Sequence, residues 1–184
     1  MFGSLVALSL LQAAAQVTPQ NLQGPTAREW QVAGTEEGCV AHTAYSGGTV
    51  VTMFALAGQE GIGFLLQNRQ WTDLEDGAAY PLEIRFENGS LWEIPAVARL
   101  EIDQDGPGLF FAVRPGSGES GRDFMSEFAG GRGMHIGHNG IALESLQLSG
   151  THGATVAIAQ CLSRLLGGNP AGDGGKSGEA PVRI

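Results

Sequence analysis

Two cysteines, Cys39 and Cys161, constrain the fold of this chain most, because they stand 122 positions apart. An apolar segment at residues 5–15 precedes both of them. If that segment directs the chain out of the cytoplasm, the oxidising compartment favours a single disulfide between the two thiols. A bridge that closes so long a loop would stabilise the fold by roughly 4–5 kcal/mol in the chain-entropy model.

The first 15 residues have the features of a signal peptide. The apolar run is too short for a bilayer-spanning helix, which needs about 20 residues, and the alanines at 13–15 offer a small-residue cleavage site. No Lys or Arg precedes the run, so a buried N-terminal helix is the alternative. We predict a signal peptide at 1–15, a flexible lead-in at 16–27, one domain at 28–167 and a disordered tail at 168–184.

The charge balance of the chain excludes some classes of partner. The sequence has 19 acidic and 10 basic residues, for a net charge of −9. Such a chain repels the phosphates of nucleic acids and of anionic lipids. We therefore expect no nucleic-acid partner and, once the leader is removed, no membrane span. The 29 glycines indicate many turns and short strands.

Short strands separated by turn signals dominate the middle of the chain. The pattern is clearest where Leu82, Ile84 and Phe86 alternate with charged residues, as expected for a half-buried strand. The other candidate strands are 29–33, 39–45, 49–56, 62–67, 109–113, 134–138 and 141–148. Helical spacing replaces this alternation at 123–129 and again after Thr151.

The first Asn-Gly hairpin allows a prediction of strand register. A three-residue loop around the dipeptide places Phe86 opposite Trp92 and Ile84 opposite Ile94, so that one face buries both pairs. We predict this register, with Gly89 at positive φ. The second Asn-Gly hairpin, at 134–148, pairs His135 with Glu144 if its turn has two residues. Its apolar side chains then switch faces, which indicates either a β-bulge near Ser145 or a strand that is covered on both sides.

The last helix carries a stripe of apolar residues at spacings of three and four. These residues are Ala154, Ala157, Ile158, Cys161, Leu162 and Leu165. Thr151 can cap the helix, and Cys161 on the stripe would point toward a sheet. The sequence therefore predicts an α+β fold, mostly β, in which an antiparallel curved sheet or sandwich packs against a C-terminal helix.

Several short motifs resemble functional signatures but lack the required context. The tetrapeptide at 135–138 reads HIGH, as in class I aminoacyl-tRNA synthetases, yet here it lies in a hairpin. In a strand its two histidines project to opposite faces, so they would not hold one metal ion. The run at 116–121 matches GxGxxG without a βαβ unit, and the acidic turn at 101–106 lacks the last ligand of a calcium loop. We therefore predict no catalytic, cofactor-binding or metal-binding residue.

Three groups of landmark residues lie at the start, in the middle and at the end of the domain. They are Trp30, Gly38 and Cys39; Trp71, Gly77 and Tyr80; and Leu146, Leu148, Gly150, Thr151, Ala154 and Cys161. Their arrangement resembles that of small uncharacterised exported proteins of alphaproteobacteria, which are loosely similar to the invasion-associated locus B family. The resemblance covers roughly residues 28–166. It implies a β-rich periplasmic domain with a terminal helix and a bridge between the first and last cysteines, and it implies no catalytic residue.

We therefore expect a periplasmic or secreted, envelope-associated protein with a binding or structural role and without catalytic activity. Another envelope protein is the candidate partner, and Trp71 and Trp92 are the candidate contacts if they are exposed. One alternative is a small periplasmic hydrolase that uses His135, His138 or His152. A second alternative is an inhibitor or immunity-type protein whose acidic surface meets a basic enzyme.

Overall fold

The computed structural model describes residues 29–87, 89–100, 102, 105–114 and 123–167, together with the backbone of 182–183. Within these ranges the chain forms ten strands and two helices. In chain order they are β1 (Gln31–Gly34), β2 (Gly38–Ala44), β3 (Val50–Leu56), β4 (Ile62–Gln67), β5 (Ala79–Phe86), β6 (Leu91–Arg99), β7 (Gly108–Val113), α1 (Phe124–Gly130), β8 (Gly133–His138), β9 (Ile141–Gln147), α2 (Thr151–Leu165) and β10 (Val182–Arg183).

The strands join one antiparallel sheet in the order β10-β1-β2-β3-β4-β7-β6-β5-β8-β9. Hairpins build most of this order, and β7 returns to lie between β4 and β6. The sheet curls, and α2 packs against β1, β2 and β3. The predicted α+β class, mostly β with a curved antiparallel sheet and a C-terminal helix on it, is confirmed.

Side-chain contacts between distant parts of the sheet show how strongly it curls. Glu144 lies in β9 and accepts a hydrogen bond from the hydroxyl of Thr49, just before β3. Five strands separate β9 from β3 in the sheet, so only a curled sheet brings Glu144 close to Thr49. At the end of β9 the indole Nε1 of Trp30 donates to the carbonyl of Ser149 over 3.3 Å. These contacts bridge β9 to the other end of the sheet.

Aromatic side chains fill the space inside the curl. Trp30, Phe64, Phe86, Phe111, Phe124 and Phe128 are all at most 2 % exposed. The short helix α1 supplies two of these rings, and its start is capped by the Asp123 carboxylate, which accepts from Met125 N over 3.1 Å. Phe124 and Phe128 stack with ring centres 6.4 Å apart, as their predicted position on one side of the helix requires.

The β5–β6 hairpin differs in register from the prediction. Ile84 lies opposite Trp92, and the last pair is Arg85 opposite Leu91, so the predicted register is wrong by two residues. A shift of two keeps every side chain on its expected face, since side chains alternate with period two. The predicted positive φ of Gly89 is also wrong, because the positive-φ glycines of the described residues do not include it.

A contact from α1 accounts for this wider loop. The Glu127 carboxylate accepts from Ser90 N over 3.1 Å and from Trp92 Nε1 over 2.9 Å. Gly89 N also closes a turn onto the carbonyl of Phe86 over 3.0 Å. The helix thus holds the loop in a register that the hairpin sequence alone does not specify.

The β8–β9 hairpin contains the predicted bulge at a different position. Ile136 lies opposite Glu144 and Gly137 opposite Ala142, which leaves Leu143 as the extra residue. His135 therefore lies opposite Ser145, and the predicted His135–Glu144 pair is wrong. The bulge lies nearer the turn than expected, and it turns Glu144 to the same face as the buried Ile136.

Gly150 and Trp30 pack against each other at the start of α2. Gly150 is the N-cap residue at φ 82°, and a Cβ there would lie 2.9 Å from Trp30 Cδ1, so glycine meets both requirements. Thr151 was expected to cap this helix, but it is the first helical residue and is fully buried. Its hydroxyl lies 2.8 Å from the Phe128 carbonyl and 2.9 Å from the Leu148 carbonyl.

The disulfide between Cys39 in β2 and Cys161 in α2 is present, with the two Cα atoms 6.0 Å apart. It therefore joins an early strand to the terminal helix, as predicted. In the part of the chain that the structure describes, no helix is long and apolar enough to cross a membrane.

The two termini bear on the predicted domain limits. Val182 pairs with Val32 and Arg183 with Gln31, so these two tail residues extend the sheet beyond β1. The predicted signal peptide, the lead-in and most of the predicted disordered tail lie outside the described residues. Those limits stay predictions.

Candidate functional site

The two tryptophans predicted as partner contacts lie apart and are only partly exposed. Trp92 packs edge-on against Phe124 with ring centres 5.6 Å apart, and its Nε1 is bound by Glu127. Trp71 lies in the loop after β4, partly buried against the core. Both rings therefore contribute to packing, and the structure does not bring them together into one surface.

A groove of about 200 Å³ lies on the outside of the sheet, across β5, β6, β8 and β9. We call it the outer groove. Its lining includes Glu83, Arg85, Leu91, His135, Gly137, Gly140, Ile141 and Ser145. The strand pairing explains why these residues meet, because Leu91, Arg85, His135 and Ser145 lie directly opposite one another along one row of the sheet. Cross-strand neighbours of this kind have Cβ atoms roughly 5 Å apart.

Gly137 gives the groove its depth. It lies opposite Glu83 on β5 and beside the bulge on β9. A Cβ at this position would lie 3.2 Å from the carbonyl oxygen of Ile141 and 3.9 Å from Glu83 Cβ. Because Gly137 has no side chain, the row of outward side chains is interrupted there and space remains between β5 and β9.

Charged and apolar groups share the wall of the groove. The Glu83 carboxylate accepts from Gly140 N over 3.4 Å, while the exposed Arg85 guanidinium has no hydrogen bond or ion pair to any described residue. Leu91, which is 46 % exposed, adds apolar surface to this wall, while Ile141, 66 % exposed, lies at the turn opposite His138. The groove therefore combines both charge signs with apolar surface.

His135 and Ser145 form the one nucleophile–base contact that lines the groove. His135 Nδ1 lies 2.9 Å from Ser145 Oγ, a distance at which an imidazole can accept the hydroxyl proton. Acyl transfer also needs free N–H donors for the oxyanion. The N–H of Ser145 donates to Glu144 over 3.0 Å and that of Gly140 donates to Glu83. Two N–H groups close to the pair are thus engaged, and the arrangement suits hydrogen bonding to a ligand better than acyl transfer.

A second polar cluster lies inside the curl. Asn68 Nδ2 donates to Thr49 Oγ1 over 2.8 Å, and Thr49 in turn donates to Glu144. Tyr45 lies beside Thr49, and its hydroxyl is buried without a hydrogen-bond partner among the described residues. Burial raises the pKa of the Tyr45 phenol well above its usual range. This cluster joins β9 to the β2–β3 turn and to the end of β4, which is a structural role.

The other histidines lie away from the groove row. His138 Nδ1 lies 2.7 Å from the Pro81 carbonyl, and its ring centre is 5.3 Å from that of Tyr80. His152 is exposed on α2. Across the described ranges, no group of three His, Cys, Asp or Glu residues could hold a metal ion. The Gly-rich run at 116–121 lies outside the described residues, as do residues 101 and 103 of the acidic turn.

The sequence interpretation did not identify the outer groove. Its one local signal was Gly137, because a glycine inside a strand pattern often marks a close approach or a missing side chain. The charged positions Glu83 and Arg85 were interpreted only as the solvated face of a strand. Comparison of the chain with protein-family models, with curated proteins and with solved structures found no match.

Proposed function

We propose that this chain is an exported, envelope-associated binding protein that holds a small ligand in the outer groove. The observation that carries this function is the groove itself, in which Arg85, Glu83 and the exposed side chain of Leu91 lie around Gly137. Small-molecule sites typically combine apolar walls with a few placed polar groups in this way.

The size of the groove indicates the kind of ligand. Drug-sized ligands occupy pockets of about 300–1,000 Å³. An engineered cavity of about 150 Å³ accommodates benzene. A groove of about 200 Å³ therefore suits a molecule of one or two dozen atoms at most.

Export is supported by the disulfide, since such bonds persist in oxidising compartments and are rare in the cytosol. The apolar, short leader at 5–15 supports the same compartment. The periplasmic location and the kinship with small exported alphaproteobacterial proteins remain part of this proposal.

The intact mass of the protein tests directly whether the full chain is exported. We expect the protein recovered from a periplasmic fraction to have lost residues 1–15 and to gain two mass units on reduction, one proton for each sulfur. Intact-mass spectrometry with and without reductant measures both changes. A protein that stays in the cytosolic fraction with its leader intact would contradict the proposed compartment.

Filling the groove tests the binding role. We expect Gly137→Val to weaken binding of any groove ligand by at least about tenfold, because the new side chain occupies the space that the missing side chain of Gly137 leaves in the groove. Screening a small-compound library by amide chemical shifts locates the ligands, and titration of wild type and variant compares their affinities. Gly137 lacks a positive φ, but a Cβ there would lie 3.2 Å from the Ile141 carbonyl oxygen, so the amide spectrum of the variant must also show that the hairpin keeps its fold.

Ala112→Val is the matched control for this substitution. Ala112 is exposed on β7 and does not line the groove, so the same added bulk should leave affinities unchanged. Ligands that shift the amides of His135 and Gly137 and bind the Gly137→Val protein as tightly as wild type would refute the proposed site.

A further inference from the structure

Glu83 and Arg85 place opposite charges at two levels of the outer groove along the strand direction, while Glu87, two residues beyond Arg85, lies outside the lining of the groove. Glu83 and Arg85 stand two residues apart on β5, roughly 7 Å along the strand, and both point to the outer face. Across β6, Glu93 lies opposite Glu83, and across β8, His135 lies opposite Arg85. One end of the groove is therefore acidic, and the other end carries a guanidinium and an imidazole.

A ligand with a single charge is attracted by one charged side chain of this site and repelled by the other. A lone carboxylate that pairs with Arg85 lies close to Glu83, and a lone ammonium that pairs with Glu83 lies close to Arg85. In each case the repulsion offsets much of the attraction, since like and unlike charges act over similar distances. A molecule with an ammonium and a carboxylate a few ångströms apart meets an opposite charge at each end.

The apolar lining defines the rest of the ligand. Leu91 is paired with Arg85 on the outer face and is 46 % exposed, so an aliphatic group held beside Arg85 would cover apolar surface that is now exposed. The groove has room for such a group, because leucine is only modestly larger than the benzene that a smaller cavity accommodates.

We infer that the outer groove binds a free α-amino acid with an aliphatic side chain, its carboxylate at Arg85 and its ammonium at Glu83. The Arg85 fork is suited to a carboxylate because its N–H donors match the two oxygens. The acidic pair Glu83 and Glu93 attracts the ammonium. This assignment rests on the proposed function and names the ligand class of the same groove.

A panel of five compounds tests the assignment. The compounds are L-leucine, 4-methylpentanoate with only the carboxylate, 3-methylbutylamine with only the ammonium, N-acetyl-leucine as a model of a peptide C-terminus, and leucine amide as a model of a peptide N-terminus. Each is titrated into the mature disulfide-bonded chain and followed by amide chemical shifts. We expect L-leucine to bind at least about tenfold more tightly than each of the other four compounds.

Charge variants assign the two ends of the ligand. Arg85→Met should abolish the advantage of L-leucine over the amine, and Glu83→Gln should abolish its advantage over the acid. Arg99→Met removes an exposed arginine of β6 that does not line the groove, and it should leave the whole pattern unchanged.

The outcomes separate this assignment from the proposed function. If a singly charged analogue binds in the groove as tightly as L-leucine and Gly137→Val removes it, the amino-acid assignment is wrong and the groove remains a binding site. If neither the five compounds nor any library compound shifts the groove amides, both proposals are wrong. Preference for N-acetyl-leucine or leucine amide would indicate a peptide terminus and overturn the free amino acid.

Discussion

Replacing Cys39 and Cys161 together by alanine is expected to lower the free energy of unfolding by about 4–5 kcal/mol. The bridge closes a loop across a sequence separation of 122, so its loss restores much chain entropy to the unfolded state. It also removes the covalent link from β2 to α2, whose buried face is small: Thr151, Ala154 and Ile158. Domains are typically stable by only 5–15 kcal/mol, so the variant should lie close to the limit of folding.

Urea unfolding of oxidised wild type, reduced wild type and the double variant measures this effect. Ser163→Ala is the matched control, since Ser163 is exposed on α2 and, among the described residues, its hydroxyl bonds only the Ala159 carbonyl within its own helix. The control should change stability by about 0.5 kcal/mol or less. Equal midpoints for oxidised and reduced wild type would show that the bridge does not contribute as described.

Phe124→Ala is expected to lower the free energy of unfolding by about 3–5 kcal/mol. The Phe124 ring is 1 % exposed and lies at the centre of the aromatic core. It contacts four rings outside its own helix: Phe64, Phe86, Trp92 and Phe111, at centroid distances of 5.5, 5.1, 5.6 and 6.2 Å. Because α1 joins strands from both halves of the sheet through this ring, little relaxation can fill the resulting cavity.

Phe110→Ala provides the comparison for Phe124→Ala. Phe110 is partly buried on the outer face, where it stacks on Phe54 with ring centres 5.6 Å apart. Partial exposure leaves less transfer free energy to lose, so we expect a loss of about 1–2 kcal/mol. Chemical denaturation of both variants gives the two values. A larger loss for Phe110→Ala would mean that α1 is not central to the core.

Local sequence patterns predicted the elements of this fold but not how they are aligned. The alternation around Ile84 and the spacing around Ile158 identified a strand and a helix, because each pattern reflects the geometry of one element and its single buried face. The register of the β5–β6 hairpin depends on Glu127, which lies far along the chain. No pattern within the hairpin contains that information.

The outer groove shows the same division between local and long-range information. Its row of Leu91, Arg85, His135 and Ser145 comes from four strands, and the bulge at Leu143 sets which residue of β9 lies opposite His135. A shift of one residue in that pairing would have placed Glu144, and not Ser145, beside the imidazole. Sequence interpretation therefore located His135 but assigned it the wrong neighbour.

The sequence by itself determined the mostly β class and the terminal helix, because periodicity is a local property, and with two cysteines it left one possible pairing if a disulfide forms. Only the tertiary structure decided the curl of the sheet, the hairpin registers and the groove around Gly137. These features depend on side chains that meet across strands and helices distant in sequence, where packing chooses among alternatives that local propensity leaves nearly equal in free energy.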